Sequence, residues 1–418
     1  MQRRRFLTLM GLGSAALGGA ACKPETAGAP QPHAPTAPAG KAIVILGGGF
    51  GGITTGLELR RALPHEHRVM LIERRETFMM GLRKQWLLTG AGKRGDGERP
   101  LAALRGKGID VRRATVSAID LARRVVRTDK EEIAFDHLVV ALGAEPRPDL
   151  VPGFSAASFN MYDAEDTERL HARLSELRSG RVAIGIFGLP FKCPPAPYEA
   201  AMLLDQWFRK RGIRSEIDLR VFTPQPMTLP VAGKEASTVV QGLLEERDIA
   251  LSLSKKASRI EGTNVVFDQE TMTADVLIVV PPHRPPAIIQ ESGLATAGDW
   301  IGVNAHTMST SEPRVWAVGD VTQIAMANGA PFPKAGVFAE AQGRAAAAAI
   351  VADVTGSPPA TTFDGKGYCF VETGDGKASA IVGDFLTSPA PKVDVLPPNE
   401  DDYRKKIAFE RDRLAAWF

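Results

Sequence analysis

The chain is poor in cysteine, in aromatic residues and in net charge. Its 418 residues include 3 cysteines and 7 histidines, 6% are aromatic, and 51 basic residues nearly balance 48 acidic ones. Without a basic cluster there is no field to attract a polyanion, which argues against nucleic-acid binding. The histidines are scattered and no Cys-x-x-Cys-His motif occurs, so the sequence predicts neither a metal site nor a covalently attached haem.

The apolar run at the N-terminus is too short to span a membrane. Arg3-Arg4-Arg5-Phe6-Leu7 fits the twin-arginine export pattern, and the run from Phe6 to Ala21 is uncharged. At ~1.5 Å per residue this run reaches about 24 Å, less than the roughly 30 Å hydrocarbon core. We therefore predict a signal at residues 1–22 and a periplasmic protein, either free or attached to the outer face of the inner membrane.

The signal is followed by a Pro- and Ala-rich linker at residues 23–40, whose composition is not suited to a hydrophobic core. Cys22, just before it, suits the acylated cysteine of a lipoprotein, but Gly19 stands where a lipobox prefers Leu. Acylation of Cys22 and ordinary cleavage after Ala21 both stay open.

A nucleotide-binding fingerprint opens the rest of the chain. An apolar, β-branched run at 41–46 predicts a buried parallel strand, and it leads into Gly47, Gly49 and Gly52 before a helical pattern. Glu73 ends the next predicted strand, 21 positions after Gly52. Such glycines let a pyrophosphate approach the N-terminus of a helix, and the distal acid binds a ribose hydroxyl.

A second strand–turn–helix layout, at residues 181–211, lacks this signature. Gly188 lies in a turn with three prolines, and Thr223 and Pro224 follow the next predicted strand, where an acid is expected. Proline removes amide donors that a phosphate needs. We predict that this copy keeps its fold without binding NAD(P).

Two later strand ends resemble those of the flavoproteins with two dinucleotide-binding domains, the glutathione-reductase-like class. Gly143 follows a predicted strand at 137–142, and Gly319 and Asp320 follow another at 314–318. The resemblance implies that the first nucleotide is FAD and that Asp320 contacts its ribityl chain. It also implies an α/β fold with two Rossmann-like domains and a small C-terminal segment.

The predicted organisation is discontinuous. The FAD-binding domain takes residues 41–155 and 296–355, and the second Rossmann-like domain, degenerate for NAD(P), takes 156–295. Residues 356–418 form a C-terminal segment with Cys369 and an amphipathic tail.

Three further motifs are Cys-Pro-Pro-x-Pro-Tyr-Glu at 193–199, Pro-Lys-Ala-Gly at 333–336 and Gly-Tyr-Cys-Phe-Val-Glu-Thr-Gly at 367–374. In this order they resemble the sulfide:quinone oxidoreductase and flavocytochrome c sulfide dehydrogenase family, within the pyridine nucleotide-disulfide oxidoreductase superfamily. The C-terminal residues from Phe409 to Phe418 resemble the quinone-reducing branch.

The resemblance implies FAD-dependent oxidation of sulfide, or of another small sulfur compound, through a redox disulfide between Cys193 and Cys369. It places Cys369 nearer the flavin, makes Cys193 the persulfide carrier, and puts Lys334 near the pyrimidine edge of the flavin. Glu199, in the first turn of the next helix, would move protons with a pKa raised by burial. Structural roles stay open for all of them: a structural disulfide, a helix-start acid and a solvated lysine.

The electron acceptor is predicted to be quinone, with a c-type cytochrome as the alternative. The apolar tail residues Ile407, Leu414, Trp417 and Phe418 either touch the membrane surface or pack on their own domain. Two other functions stay open, a type II NADH:quinone oxidoreductase and a non-catalytic flavin-binding partner.

Overall fold

The computed structural model describes residues 40–296 and 298–418. The predicted twin-arginine signal, Cys22 and residues 23–39 of the linker lie outside the described residues. The helices of the described part, in chain order, are α1 Phe50–Ala62, α2 Arg83–Thr89, α3 Arg94–Gly97, α4 Ala164–Glu176, α5 Ala196–Lys210, α6 Gly233–Glu245, α7 Ile288–Glu291, α8 Gly336–Thr355 and α9 Glu400–Trp417. Short 3-10 turns occupy Leu101–Lys107, Pro148–Leu150, Arg214–Glu216, Pro230–Ala232 and Gly319–Val321.

A parallel sheet carries the first glycine-rich turn. In spatial order its strands are Val315–Ala317, His137–Val140, Ala42–Leu46, Arg68–Glu73 and Asp110–Arg113. The central strand is almost wholly buried, as expected where helices cover both faces of a parallel sheet. Helices α1 and α8 cross closely over it, because a Cβ on Gly343 would lie 2.7 Å from the carbonyl oxygen of Gly51.

A second parallel sheet carries the degenerate turn. Its strands, in spatial order, are Ser158–Asn160, Val276–Val280, Gly180–Ile186, Ile217–Phe222 and Ala250–Ser252. The two sheets fall within the ranges predicted for the two Rossmann-like domains, whose exact boundaries remain predictions.

An antiparallel sheet follows near the C-terminus and consists of Lys366–Gly374, Lys377–Asp384 and Lys392–Val395. Smaller antiparallel sheets are formed by Val116–Asp120 with Val125–Thr128 and Glu132–Ala134, by Ala257–Glu261 with Asn264–Phe267 and Thr271–Thr273, by Thr77–Phe78 with Arg99–Pro100, and by Glu145–Pro146 with His283–Arg284. Ile301–Gly302 pairs in parallel with Thr322–Gln323.

The C-terminal helix α9 packs on its own protein. Leu414 and Trp417 are buried, and the Trp417 ring meets two phenylalanine rings of the first domain edge to face, at 5.3 and 5.6 Å between centroids. The Phe418 ring stacks on the Phe78 ring with 6.0 Å between centroids. Of the four apolar tail residues named above (Ile407, Leu414, Trp417 and Phe418), only Ile407 is exposed. Of the two alternatives for the tail, packing on its own domain applies to Leu414 and Trp417. Contact of the tail with a membrane surface stays a prediction.

Within the described ranges, none of the helices is both long and apolar enough to cross a bilayer.

Candidate active site

The turn after the first strand is shaped for a phosphate-bearing ligand. Gly47 has a φ of +107°, and a Cβ on Gly52 would lie 1.9 Å from the Gly47 carbonyl oxygen. The turn therefore requires glycine at both positions, because only glycine lets the backbones of the strand and the helix approach so closely. A Cβ on Gly49 would have no heavy atom within 4 Å. Gly49 is also the N-cap of α1 and gives it no side-chain cap. The start of α1 therefore faces open space, where its amides can bind an anion.

Glu73 lies at the end of the neighbouring strand, beside this turn. Its carboxylate accepts a 2.8 Å hydrogen bond from the backbone N–H of Gly48 and pairs with Arg75 at 3.1 Å. Burial alone would raise the pKa of Glu73, but the charge and hydrogen bonds of Arg75 hold it below its ordinary value. Glu73 is thus an ionised acceptor next to the glycines, as the predicted ribose contact requires.

The remaining predicted flavin residues gather at the ends of two other strands of the same sheet. Gly143 and Gly319 both have positive φ angles, of +69° and +79°. Asp320 and Lys334 line one narrow cavity, where the Lys334 ammonium donates to the backbone oxygen of Asp320 at 2.7 Å. Burial lowers the pKa of Lys334 to about 8. Its ammonium also lies 3.5 Å from the centroid of the Trp300 ring.

Cys193 is held in the turn that replaces the second nucleotide loop. Its φ of +53° lies in the left-handed region, which is unusual for a residue other than glycine. Its backbone N–H donates to the carbonyl of Lys334 at 2.8 Å, and its own carbonyl accepts from Ala196 at the start of α5. The cysteine is therefore tied by backbone bonds both to the predicted flavin cavity and to α5.

Cys369 reaches the same place from the C-terminal sheet, on the strand Lys366–Gly374. Cys193 and Cys369 lie close enough for their thiols to interact, and both pack against the core of the second domain. The two are free thiols, so the predicted disulfide is not formed in this structure. Helix α5 and this strand pack together, which brings the two cysteines near each other across 176 positions of the chain. The redox disulfide between them stays a prediction.

The surroundings of Cys193 oppose its ionisation. The hydrogen bond with Cys369, then burial, then the charges of Cys369 and Glu199 raise the pKa of the Cys193 thiol well above its ordinary value. Lys406 acts in the opposite direction. The reactivity of this thiol therefore depends on which charges stand beside it.

Glu199 is buried in the first turn of α5, with 4% of its surface exposed. Its carboxylate forms an ion pair with Lys406 and accepts a 3.2 Å hydrogen bond from the backbone N–H of Glu372. Burial raises the pKa of Glu199, and Lys406 only partly offsets this. A buried acid with a raised pKa beside a thiol is suited to accept a proton from it.

Two charged residues of this site were missed by the sequence analysis, Lys406 on α9 and Glu372 on the C-terminal sheet. Glu372 stands in a quoted motif but carried no predicted role, and its carboxylate is 3.0 Å from the Lys406 ammonium. Lys406 is one of the charged residues among the apolar residues of the tail and also carried no predicted role. The i, i+4 spacing of Asp402, Lys406 and Glu410 was the available signal, and all three are buried.

Side chains pack closely against the glycines of the second strand–turn unit. A Cβ on Gly185 would lie 2.1 Å from the Phe222 ring, and one on Gly188 would lie 2.6 Å from Pro282. Thr223, fully buried, follows the neighbouring strand. The prediction that this domain does not bind NAD(P) still rests on the prolines of the turn and on Thr223, which stand where amide donors and an acid would be needed.

The chain is similar to known proteins over most of its length. The model of the pyridine nucleotide-disulphide oxidoreductase family matches residues 41–343. The sulfide-quinone reductase of Aquifex aeolicus (strain VF5) is 27% identical over 400 residues, covering 89% of this chain and 90% of that protein. The mitochondrial sulfide:quinone oxidoreductase of Mus musculus is 24% identical over 365 residues, covering 83% of this chain and 79% of that protein.

The fold comparison agrees. The X-ray structure of the sulfide:quinone oxidoreductase from the hyperthermophilic bacterium Aquifex aeolicus superposes with a TM-score of 0.82 at 26% identity, covering 90% of this chain and 91% of that one. These findings confirm the predicted resemblance, the fold with two dinucleotide-binding domains and FAD as the cofactor. The open glycine turn beside Glu73 fits that cofactor.

Proposed function

Since this chain belongs to the pyridine nucleotide-disulphide oxidoreductase family, we propose that it oxidises sulfide or persulfide through Cys193 and Cys369 and passes the electrons to quinone. The observation that carries the proposal is the meeting of these two thiols beside Lys334 and Glu199. The similarity to sulfide:quinone oxidoreductases over most of the chain supports it.

The cysteine pair provides the chemistry that sulfide needs. When the pair is oxidised, hydrosulfide attacks one sulfur of the disulfide, which leaves a persulfide on one cysteine and a thiolate on the other. Joining the outer sulfur of the persulfide to the sulfur of the thiolate closes a three-sulfur bridge, and this step gives up the persulfide proton and two electrons. Gly47, Gly49, Gly52, Glu73 and Asp320 would hold FAD, which when bound supplies a two-electron acceptor.

The charges around the pair suit an anionic sulfur substrate. Lys192 directly precedes Cys193, and it lies close enough to Lys84 for its charge to act on the pKa of Lys84. Burial first, and then the charge of Lys192, lower the pKa of Lys84 to about 8, so it remains largely cationic at neutral pH. Two lysines beside the turn would attract hydrosulfide.

Glu199 is the proposed proton acceptor. A thiol that gives up its proton to form a sulfur–sulfur bond needs a base nearby, and Glu199 acts on the pKa of Cys193 from the start of α5. Its raised pKa brings it closer to the pH at which it can both take and release a proton.

A type II NADH:quinone oxidoreductase is the nearest rival. The prolines of the second turn and the buried Thr223 stand against it, because they replace the amide donors and the acid that would bind NADH. The choice between quinone and a c-type cytochrome as acceptor rests on the named relatives, and a c-type cytochrome is the second candidate.

Anaerobic stopped-flow mixing of the FAD-loaded protein tests the proposal. Sulfide is expected to bleach the flavin absorbance, whereas NADH does not, and added quinone restores the absorbance faster than cytochrome c does. A Cys193→Ser variant should bleach on the order of 10³-fold more slowly, because the nucleophilic sulfur is gone. Cys22→Ser is the matched control and should behave like the unchanged protein.

Each other outcome selects a different function. Bleaching by NADH and not by sulfide would show the NADH enzyme, and bleaching by neither would leave the non-catalytic flavin-binding partner. Faster reoxidation of the flavin by cytochrome c than by quinone would show that the acceptor is the cytochrome.

A further inference from the structure

Next to the thiol pair lies a buried cluster of three charges contributed by three separate elements. Glu199 comes from α5, Glu372 from the C-terminal sheet and Lys406 from α9, and their exposed fractions are 4%, 7% and 2%. The Lys406 ammonium pairs with both carboxylates. The indole N–H of Trp86 donates to the Glu372 carboxylate at 2.9 Å.

The cluster holds Lys406 in its charged form. Burial alone would lower the pKa of Lys406, but the charges of Glu199 and Glu372 raise it above its ordinary value. With both acids ionised the cluster carries a net charge of −1, since two carboxylates meet one ammonium. Removing Lys406 would leave two buried carboxylates without a compensating charge, whereas removing one acid would leave a compensated pair.

The cluster stands between the thiols and the protein surface. Glu199 and Lys406 are both close enough to act on Cys193, with opposite signs. On the other side, Glu372 and Trp86 line an open cavity of about 790 Å³ along α9. Protons can therefore reach the cluster from solvent without passing the cysteines.

We propose that Lys406 is a positioning residue, which keeps Glu199 ionised and aimed at the thiol pair so that Glu199 can take the Cys193 proton. In this step the S–H bond of Cys193 breaks and an O–H bond forms on Glu199, leaving a thiolate and a neutral carboxyl. No external oxidant or reductant takes part. The role serves the proposed oxidation of sulfide and therefore rests on that proposal.

Other charged groups face these residues and stay constant in the test. The charge of Cys193 acts on the pKa of Tyr162 and of Lys192. The charges of Glu372 and Lys406 both act on the pKa of Tyr403. On the buried face of α9, Asp402 is bonded to Asn399 and Glu410 pairs with Arg83. Single substitutions are therefore needed to separate the effect of Lys406 on the ionisation of Cys193 from the effects of these neighbours.

The test is the pH dependence of cysteine alkylation in the FAD-loaded, reduced protein, with no sulfide or quinone present. Iodoacetamide modification of Cys193 and Cys369 is followed by peptide mass mapping. Lys406→Met should move the midpoint for Cys193 up by about one pH unit, because a nearby positive charge is lost. Glu372→Gln should move it down by a similar amount, because a negative charge is lost and Lys406 is less shared.

The controls separate charge from packing. Lys406→Arg should restore the original midpoint, and Lys405→Met, an exposed neighbour on α9, should leave it unchanged. A purely structural role predicts faster alkylation in both Lys406→Met and Glu372→Gln, since either would loosen the site. That result, or no shift in either variant, overturns the proposal.

If Lys406→Met does not fold, Glu372→Gln decides alone. A downward shift supports the positioning role, and an upward or absent shift contradicts it. Because alkylation needs neither sulfide turnover nor an acceptor, a failure here is distinct from a failure of sulfide to bleach the flavin.

Discussion

Replacing Gly49 with alanine separates the role of the glycine turn in folding from its predicted role in holding FAD. Gly49 has φ −88° and ψ −170°, angles that any residue adopts, and a Cβ there would meet no heavy atom within 4 Å. The loss of stability without FAD should be about 1 kcal/mol or less, the usual difference between glycine and alanine at an N-cap. Gly52→Ala should instead disrupt folding, because its Cβ would lie 1.9 Å from a backbone oxygen.

The effect of Gly49→Ala on FAD binding should be larger. The new methyl group would occupy the space where the pyrophosphate is expected, and at least one amide–phosphate hydrogen bond would be lost. A hydrogen bond to a charged group contributes about 1.5–3 kcal/mol. The dissociation constant for FAD should therefore rise by about 10- to 150-fold.

Two measurements check this. Thermal unfolding of the FAD-free protein reports the effect on folding, and titration of the FAD-free protein with FAD, followed by flavin fluorescence, reports the affinity. Gly106→Ala, an exposed glycine of the same domain with nothing within 4 Å of its Cβ, is the control and should change neither. A folded Gly49→Ala protein that binds FAD within about twofold of the unchanged protein would refute the assignment of this turn, since a lost charged hydrogen bond costs more than that.

Two further predictions concern stability. Trp417→Ala should lower the free energy of unfolding by about 3–5 kcal/mol, because Trp417 is buried. The control Ile407→Ser, at an exposed position, should change it by about 0.5 kcal/mol or less. Urea unfolding measures both, and equal effects would mean that α9 is not packed as described. Burial lowers the pKa of His283 from 6.5 to about 3, so the unfolded chain takes up a proton first and stability is lost as the pH falls below about 6.5. Between pH 7 and pH 5 the free energy of unfolding, measured with urea, should fall by about 2 kcal/mol more in the unchanged protein than in His283→Asn. The control His65→Asn should show the same fall as the unchanged protein. An equal fall in His283→Asn would contradict the lowered pKa of His283.

The parts of the fold that the sequence predicted are those with local signals. The strand before Gly47, the turn, the helix and Glu73 lie within about thirty residues, and each has a residue type that its backbone requires. The degenerate second turn was predicted for the same reason, because proline and threonine stand where amides and an acid would be needed. The joining of Cys193 to Cys369 came from a family resemblance, since nothing between them in the chain indicates that they meet.

The tail was predicted incompletely, because its charged residues were given no role. In an amphipathic helix the apolar residues usually form the buried stripe and the charged residues the solvated side. On α9 the buried stripe begins with Asp402, Lys406 and Glu410 and only then continues with Leu414 and Trp417. Ile407, apolar and in the middle of the helix, points outward and is 37% exposed.

This arrangement is stable only because the buried charges find partners elsewhere in the chain. Lys406 meets Glu199, 207 positions away, and Glu410 meets Arg83, 327 positions away. A one-turn slip of α9 would separate both pairs and leave buried charges uncompensated, which is strongly destabilising. The pairs therefore fix the register of α9 against α5 and α2. The ion pair that holds this helix in place is the one that sets the charge beside the thiols, so the docking of the C-terminus and the ionisation of Cys193 should change together.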